Sequence, residues 1–96
     1  SDQSGLARVQ IGNKWGFINK KGKEIVPCIY IKANFFSEGL ALIVTDKGES
    51  GYVDATGKLI IPFTKYTRAE NFRNGKAEVR KGNDVFYINK QGQTVN

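Results

Sequence analysis

At 96 residues and 10.7 kDa, the chain has the length of one compact domain or of a short stretch of a repeat array. Fifteen Lys plus Arg against nine Asp plus Glu leave a net charge of +6, and the chain has one Cys and no His. Ser-His-Asp and Cys-His catalysis, His-containing zinc sites, internal disulfides and cysteine-based metal clusters are thereby excluded. No run approaches the roughly 18 apolar residues of a membrane span, and the opening SDQSG lacks a signal-peptide pattern, so membrane insertion is not expected and the chain is expected to be soluble.

The predicted elements repeat. The first unit opens at Gly5 with Leu6 to Ile11, whose alternation puts Ala7, Val9 and Ile11 on one face and Leu6, Arg8 and Gln10 on the other. A Gly12-Asn13 pair reads as a hairpin loop, and Trp15 to Ile18 as a second strand. Asn19 to Gly22 has the Asx-x-x-Gly chemistry of a type I turn, and Lys23 to Val26 reads as a third strand that Pro27 is expected to end. A linker through Tyr30, Ala33 and Phe36 is expected to cross to the next unit and be pinned there by those side chains.

The second unit repeats the scheme with Gly39 to Val44, Gly51 to Val53, Asp54 to Gly57 and Lys58 to Ile61, followed by Pro62 and a linker through Tyr66, Ala69 and Phe72. The third repeats it with Lys76 to Arg80, Gly82-Asn83, Val85 to Ile88, Asn89 to Gly92 and Gln93 to Val95. Phe17, Tyr52 and Tyr87 are 35 residues apart, and all eleven glycines fall on four positions of the repeat. The units are 4–37, 38–73 and 74–96 of a single domain, 1–96, read as part of a longer protein. The fold class is all-β: tandem three-stranded antiparallel meanders with crossing linkers, about eight or nine short strands, stacked as a twisted array. A closed pseudo-three-fold barrel or prism is the alternative.

Gly5-Leu6-Ala7-x-Val9, then Lys14-Trp15-Gly16-Phe17-Ile18-Asn19, then Gly22-Lys23-x-Ile25-Val26-Pro27 resembles the bacterial WG (KWG) repeat. The resemblance spans Gly5 to Val95, although Ser50-Gly51 and Val85-Phe86 replace the Trp-Gly pair in the later units. It implies a β-rich interaction module of a bacterial protein, in the cell envelope or secreted, with no catalytic residue or general ligand to carry over.

Recurring aromatics at one strand position, such as Phe17, Tyr52 and Tyr87, suit a shared core or an inter-unit seam. Trp15 differs, because Ser50 and Val85 replace it, which fits a half-exposed site better than a close-packed core. It is therefore the aromatic expected to contact a ligand. Asn19, Asp54 and Asn89 suit turns rather than catalysis or metal binding, and Asp46 with Glu49 lacks the ligand count of a calcium loop. Cys28 has no base beside it and reads as a small, half-buried apolar residue.

The charge is +5 in the first unit, zero in the second and +2 in the third, with Asp2 subtracting one. Lys20, Lys21 and Lys23 share one turn, with Arg8 on a nearby strand. Trp15, Arg8, Lys20, Lys21 and Lys23 are thus the candidate ligand contacts, with no catalytic, cofactor or metal residue expected. A phosphate-tracking array would repeat its cations in each unit, so a protein or glycan partner is favoured over nucleic acid or another anionic polymer. A structural spacer is the third reading. Leu40, Leu42 and Val44 make the middle strand apolar on both faces. Either the linkers with Tyr30, Phe35, Phe36 and Phe72 cover it, or it is an exposed patch awaiting a partner.

Overall fold

A computed structural model describes residues 5–95; readings that fall on residues 1–4 and on Asn96 lie outside these. Eleven strands follow in chain order: β1 (Ala7–Ile11), β2 (Lys14–Ile18), β3 (Glu24–Tyr30), β4 (Lys32–Ala33), β5 (Ala41–Val44), β6 (Ser50–Val53), β7 (Leu59–Thr64), β8 (Arg68–Ala69), β9 (Lys76–Lys81), β10 (Asp84–Asn89) and β11 (Thr94–Val95). They form three antiparallel sheets, β1-β2-β3, β4-β5-β6-β7 and β11-β10-β9-β8. The sheets make an open stack, 40 Å in its longest dimension, and no closed barrel forms among the described residues.

The tandem meanders are those read from the repeat, with eleven strands where eight or nine were expected. The extra pair comes from the linkers. Lys32 and Ala33 pair with Val44 and Ile43, and Arg68 and Ala69 pair with Arg80 and Val79. Each linker therefore supplies the first strand of the following sheet.

Pro27 and Pro62 do not end the third strand. β3 runs on to Tyr30 and β7 to Thr64, both through the proline. These are edge strands, where a missing amide hydrogen costs no ladder bond, and the pairing bulges there. Trp15 pairs with Tyr30 while Phe17 pairs with Val26, so two steps along β2 span four along β3. Gly16 lies beneath that bulge. A Cβ on it would stand 2.3 Å from the Val26 carbonyl oxygen and 2.8 Å from the Pro27 carbonyl carbon. Only a residue without a side chain lets the strands approach this closely.

The turns use the chemistry their sequences carry. The Asn19 side-chain oxygen accepts the amides of Lys21 and Lys23, and Asn89 does the same for Gln91 and Gln93. Asp54 accepts the amides of Thr56 and Lys58 and the Thr56 hydroxyl, which holds its carboxyl below the usual carboxylate range. Thr45 plays the same part in the second unit's longer loop, accepting from Lys47 and Glu49.

The core lies in two seams between sheets. Leu6, Trp15, Phe17 and Val26 of the first sheet meet Ala33, Ala41, Ile43 and Val53 of the second. The second sheet's other face, with Leu40, Leu42, Tyr52 and Ile61, meets Ala69, Ala77, Val79 and Ile88 of the third. The middle sheet is therefore covered on both faces, and its apolar β5 is no open patch. The neighbouring sheets do most of the covering, helped by two linker rings: Phe36 packs edge-on against Phe17, and Phe72 against Tyr52, each at 4.9 Å between centroids. Phe35 takes no such part; it is 58% exposed.

Candidate interaction surface

In the first unit, Arg8 projects from β1 toward the seam position that Leu42 fills in the second. Its guanidinium lies 4.6 Å from the Trp15 ring centroid and 4.2 Å from that of Phe35, and Nη1 donates to the Ala33 carbonyl at 2.8 Å. The two rings stack on a weakly hydrated planar cation, and the carbonyl satisfies a donor that would otherwise be desolvated. Half-buried Trp15 packs on the core below and carries Arg8 above.

Lys20, Lys21 and Lys23 stand elsewhere. They belong to the β2–β3 turn, whereas Trp15 lies toward the other end of β2, about 10 Å along the strand from Ile18, where the turn begins. The structure thus joins Arg8 to Trp15 and separates both from the three lysines.

The outer face of the first sheet was not among the candidates. Val9, Ile11 and, by alternation from Tyr30, Ile29 lie on it; Ile11 is 66% and Ile29 57% exposed. The corresponding face of each later sheet is buried against the sheet before it. The alternation in Leu6 to Ile11 showed that face, but only the stacking order shows that no described sheet covers it.

At the other end of the stack, the outer face of the third sheet holds a groove of about 680 Å³, lined by Arg68, Glu70, Arg73, Lys76, Glu78, Arg80 and Tyr87 among others. Tyr87 occupies the place of buried Phe17 and Tyr52, yet remains partly exposed with the Lys76 ammonium 4.7 Å from its ring centroid. Its recurrence at 35-residue spacing predicted core, because sequence spacing is blind to which sheet has a neighbour.

The turns between linker and unit carry a second kind of link. In Ser37–Leu40 and Arg73–Lys76 the two central residues have φ of 55° and 84°, and of 55° and 82°, as two-residue hairpin turns of type I′ require. The Glu38 carboxylate reaches one unit forward and accepts the amides of Asn74 (2.6 Å) and Gly75 (2.8 Å), with Lys90 Nζ at 3.6 Å. The Gly75 amide first, then that of Asn74 and the Lys90 charge, hold its carboxyl below the ordinary value. Beside this link, Asn34 donates to Asn71 and Ser37 to the Phe72 carbonyl.

Among the described residues no three His, Cys, Asp or Glu gather as metal ligands, and no helix is long and apolar enough to cross a membrane. Half-buried Cys28 has its thiol pushed up by burial and by Glu24, away from the thiolate a nucleophile needs.

A family model described as a WG containing repeat matches residues 2–15, 15–47 and 51–83. The chain belongs to the WG-repeat family. The second and third matched stretches open at Trp15 and Gly51, so the WG unit starts in the strand that carries the crossing glycine. The family is a repeat module, not a known enzyme family. No curated protein and no solved structure matches the chain significantly.

Proposed function

We propose that the chain is a non-catalytic interaction module that binds a protein partner through the outer face of its first sheet. The observation that carries this reading is the exposure of Ile11 and Ile29 on a face buried in both later sheets. Exposed β-branched side chains gathered on one sheet face have the composition of a protein contact surface. A glycan would need an open aromatic platform, and the Trp15 ring carries the Arg8 guanidinium. A nucleic acid would need phosphate contacts along the face, and Lys20, Lys21 and Lys23 stand at one turn instead.

A photo-crosslinking residue placed at position 11 of the full-length protein in its native cell tests the proposal. The expected result is a discrete protein adduct that disappears in Ile29→Lys and is not formed from position 81. Adducts to nucleic acid or glycan, or no adduct at all, would overturn it.

A further inference from the structure

The outer face of the third sheet carries charge in rows. Arg68 is paired with Arg80 across β8 and β9. The Glu70 amide bonds the Glu78 carbonyl, which sets these two carboxylates side by side in the next row of the same face. Beyond them Arg73 bridges to Lys76. Across the groove the order is therefore two cations, two carboxylates, two cations. Like charges placed directly opposite each other on a sheet repel, and diagonal attraction relieves only part of this here. Arg68 Nε holds Glu70 Oε2 at 2.7 Å and Lys76 leans over Tyr87, while Arg73, Arg80 and Glu78 have no side-chain ion pair or hydrogen bond among the described residues.

We propose that this face is a docking site for an extended peptide segment of a partner protein whose alternate residues read acid, base, acid. Successive rows are two residues apart along β9, and the outer two are four apart. In an extended chain those intervals correspond to about 6.7 Å and about 13 Å, the spacing of side chains i, i+2 and i+4. A strand laid along β9 sets its first and third charged side chains over the cation rows and its middle one over Glu70 and Glu78. The central carboxylates repel a uniform polyanion, and the flanking cations repel a polycation, so the pattern selects alternation rather than charge. Shape agrees as well, since the same face of the first two sheets is covered by the β-structure of the next unit. The rim already takes a carboxylate: Asn74, which lines the groove, holds Glu38 by its amide. This site lies at the opposite end of the stack from the first-sheet surface and stands or falls separately from it.

Fluorescence anisotropy with the full-length protein and three labelled peptides tests the proposal: Glu-Thr-Lys-Thr-Glu, its charge-inverted form Lys-Thr-Glu-Thr-Lys, and the all-acid Glu-Thr-Glu-Thr-Glu, each flanked by Ser-Gly. A heparin oligosaccharide serves as the polyanion arm. The acid-base-acid peptide is expected to bind at least tenfold tighter than the other three and to weaken as salt rises. Arg80→Glu should reduce that binding tenfold or more, and Glu78→Lys should transfer the preference to the all-acid peptide. Both side chains are exposed, and an unchanged circular dichroism spectrum confirms that each variant keeps the fold. Equal binding of the all-acid peptide or of heparin to the unaltered protein would overturn the proposal. So would binding of none of the four, or indifference to Arg80→Glu.

Discussion

Val9 and Val79 hold the same place in the first strand of their units, yet Val9 is half-exposed and Val79 is 1% exposed. Phe17 and Tyr87 show the reverse: the ring in the first sheet is 1% exposed and its counterpart in the third is 37% exposed. The two sheets share meander order, turn chemistry and the register of their first hairpin. They differ in which side has a neighbour. One end of the stack therefore presents the bare β-branched face of its sheet and the other end a ladder of charge. Burial in this fold belongs to the seam, and a repeat position acquires a role only through the sheet that packs on it.

The sharpest test of that comparison replaces the paired rings. Phe17→Ala should cost about 3–5 kcal/mol, the usual loss for a fully buried ring, because Phe36 and the Ala41 and Ile43 face lose their partner. Tyr87→Ala should cost below about 1 kcal/mol, as an exposed side chain does. Urea denaturation of both variants measures the difference, and similar costs would show that burial does not follow the seams.

A smaller effect separates the crossing glycines. Gly16→Ala drives a methyl into the backbone of β3, which cannot yield without losing the bulge, and should destabilise by about 2–3 kcal/mol. Gly51→Ala meets first the Phe63 ring, at 2.9 Å, then the Ile61 carbonyl at 3.0 Å, so part of the clash is relieved by ring movement and the cost should be lower. Thermal midpoints of the pair rank them. The third unit has Phe86 at this position, and its ring contacts Tyr66 at 6.1 Å between centroids. In the second unit Phe63 reaches across the glycine to contact Tyr30 at 5.9 Å. A ring from the sheet itself thus substitutes for one brought over by the crossing strand.

The smallest expected effect concerns the links between units. Glu38 has its carboxyl held below the ordinary value of 4.5, so the stability it contributes is complete above that pH and is lost as pH falls through the folded-state value. Asp54 adds a loss of the same sign below its own ordinary value of 3.8. Urea midpoints measured between about pH 3 and pH 7 should fall on acidification, and Glu38→Gln should flatten the upper part of that fall. An unchanged profile in the variant would mean that the carboxylate does not fasten the second unit to the third.

The repeat, the meanders and the Asx turns were legible because each rests on local chemistry: alternation in Leu6 to Ile11, Asn19 or Asp54 three residues before a glycine, a two-residue hairpin loop. The double burial of β5 was legible for a similar reason, since Leu40 and Leu42 stand where charged residues stand in the third unit. The strand that continues through Pro27 was not, because a proline in isolation signals an end and only the bulge over Gly16 shows how it is accommodated. Of the candidate contacts, Arg8 and Trp15 do meet, but in the seam, where the cation takes the place of Leu42. Lys20, Lys21 and Lys23 cluster in sequence and stay clustered, yet nothing local places them relative to Trp15. The bare first face and the charge rows of the third depend on stacking order and cross-strand register, both properties of the assembled sheets.

Because each linker leaves one sheet as an edge and enters the next as its first strand, the bonds that join sheets among the described residues reach to the adjacent one. The side-chain bonds that fasten the second sheet and its flanking turns to the third, from Asn34, Ser37 and Glu38, span 35 to 37 residues. The chain is thus assembled like a ladder whose rungs are cut from the same rail. Its folding needs loop closure over about one unit at a time, which keeps the entropy of each closure modest and lets structure propagate sheet by sheet from any starting point.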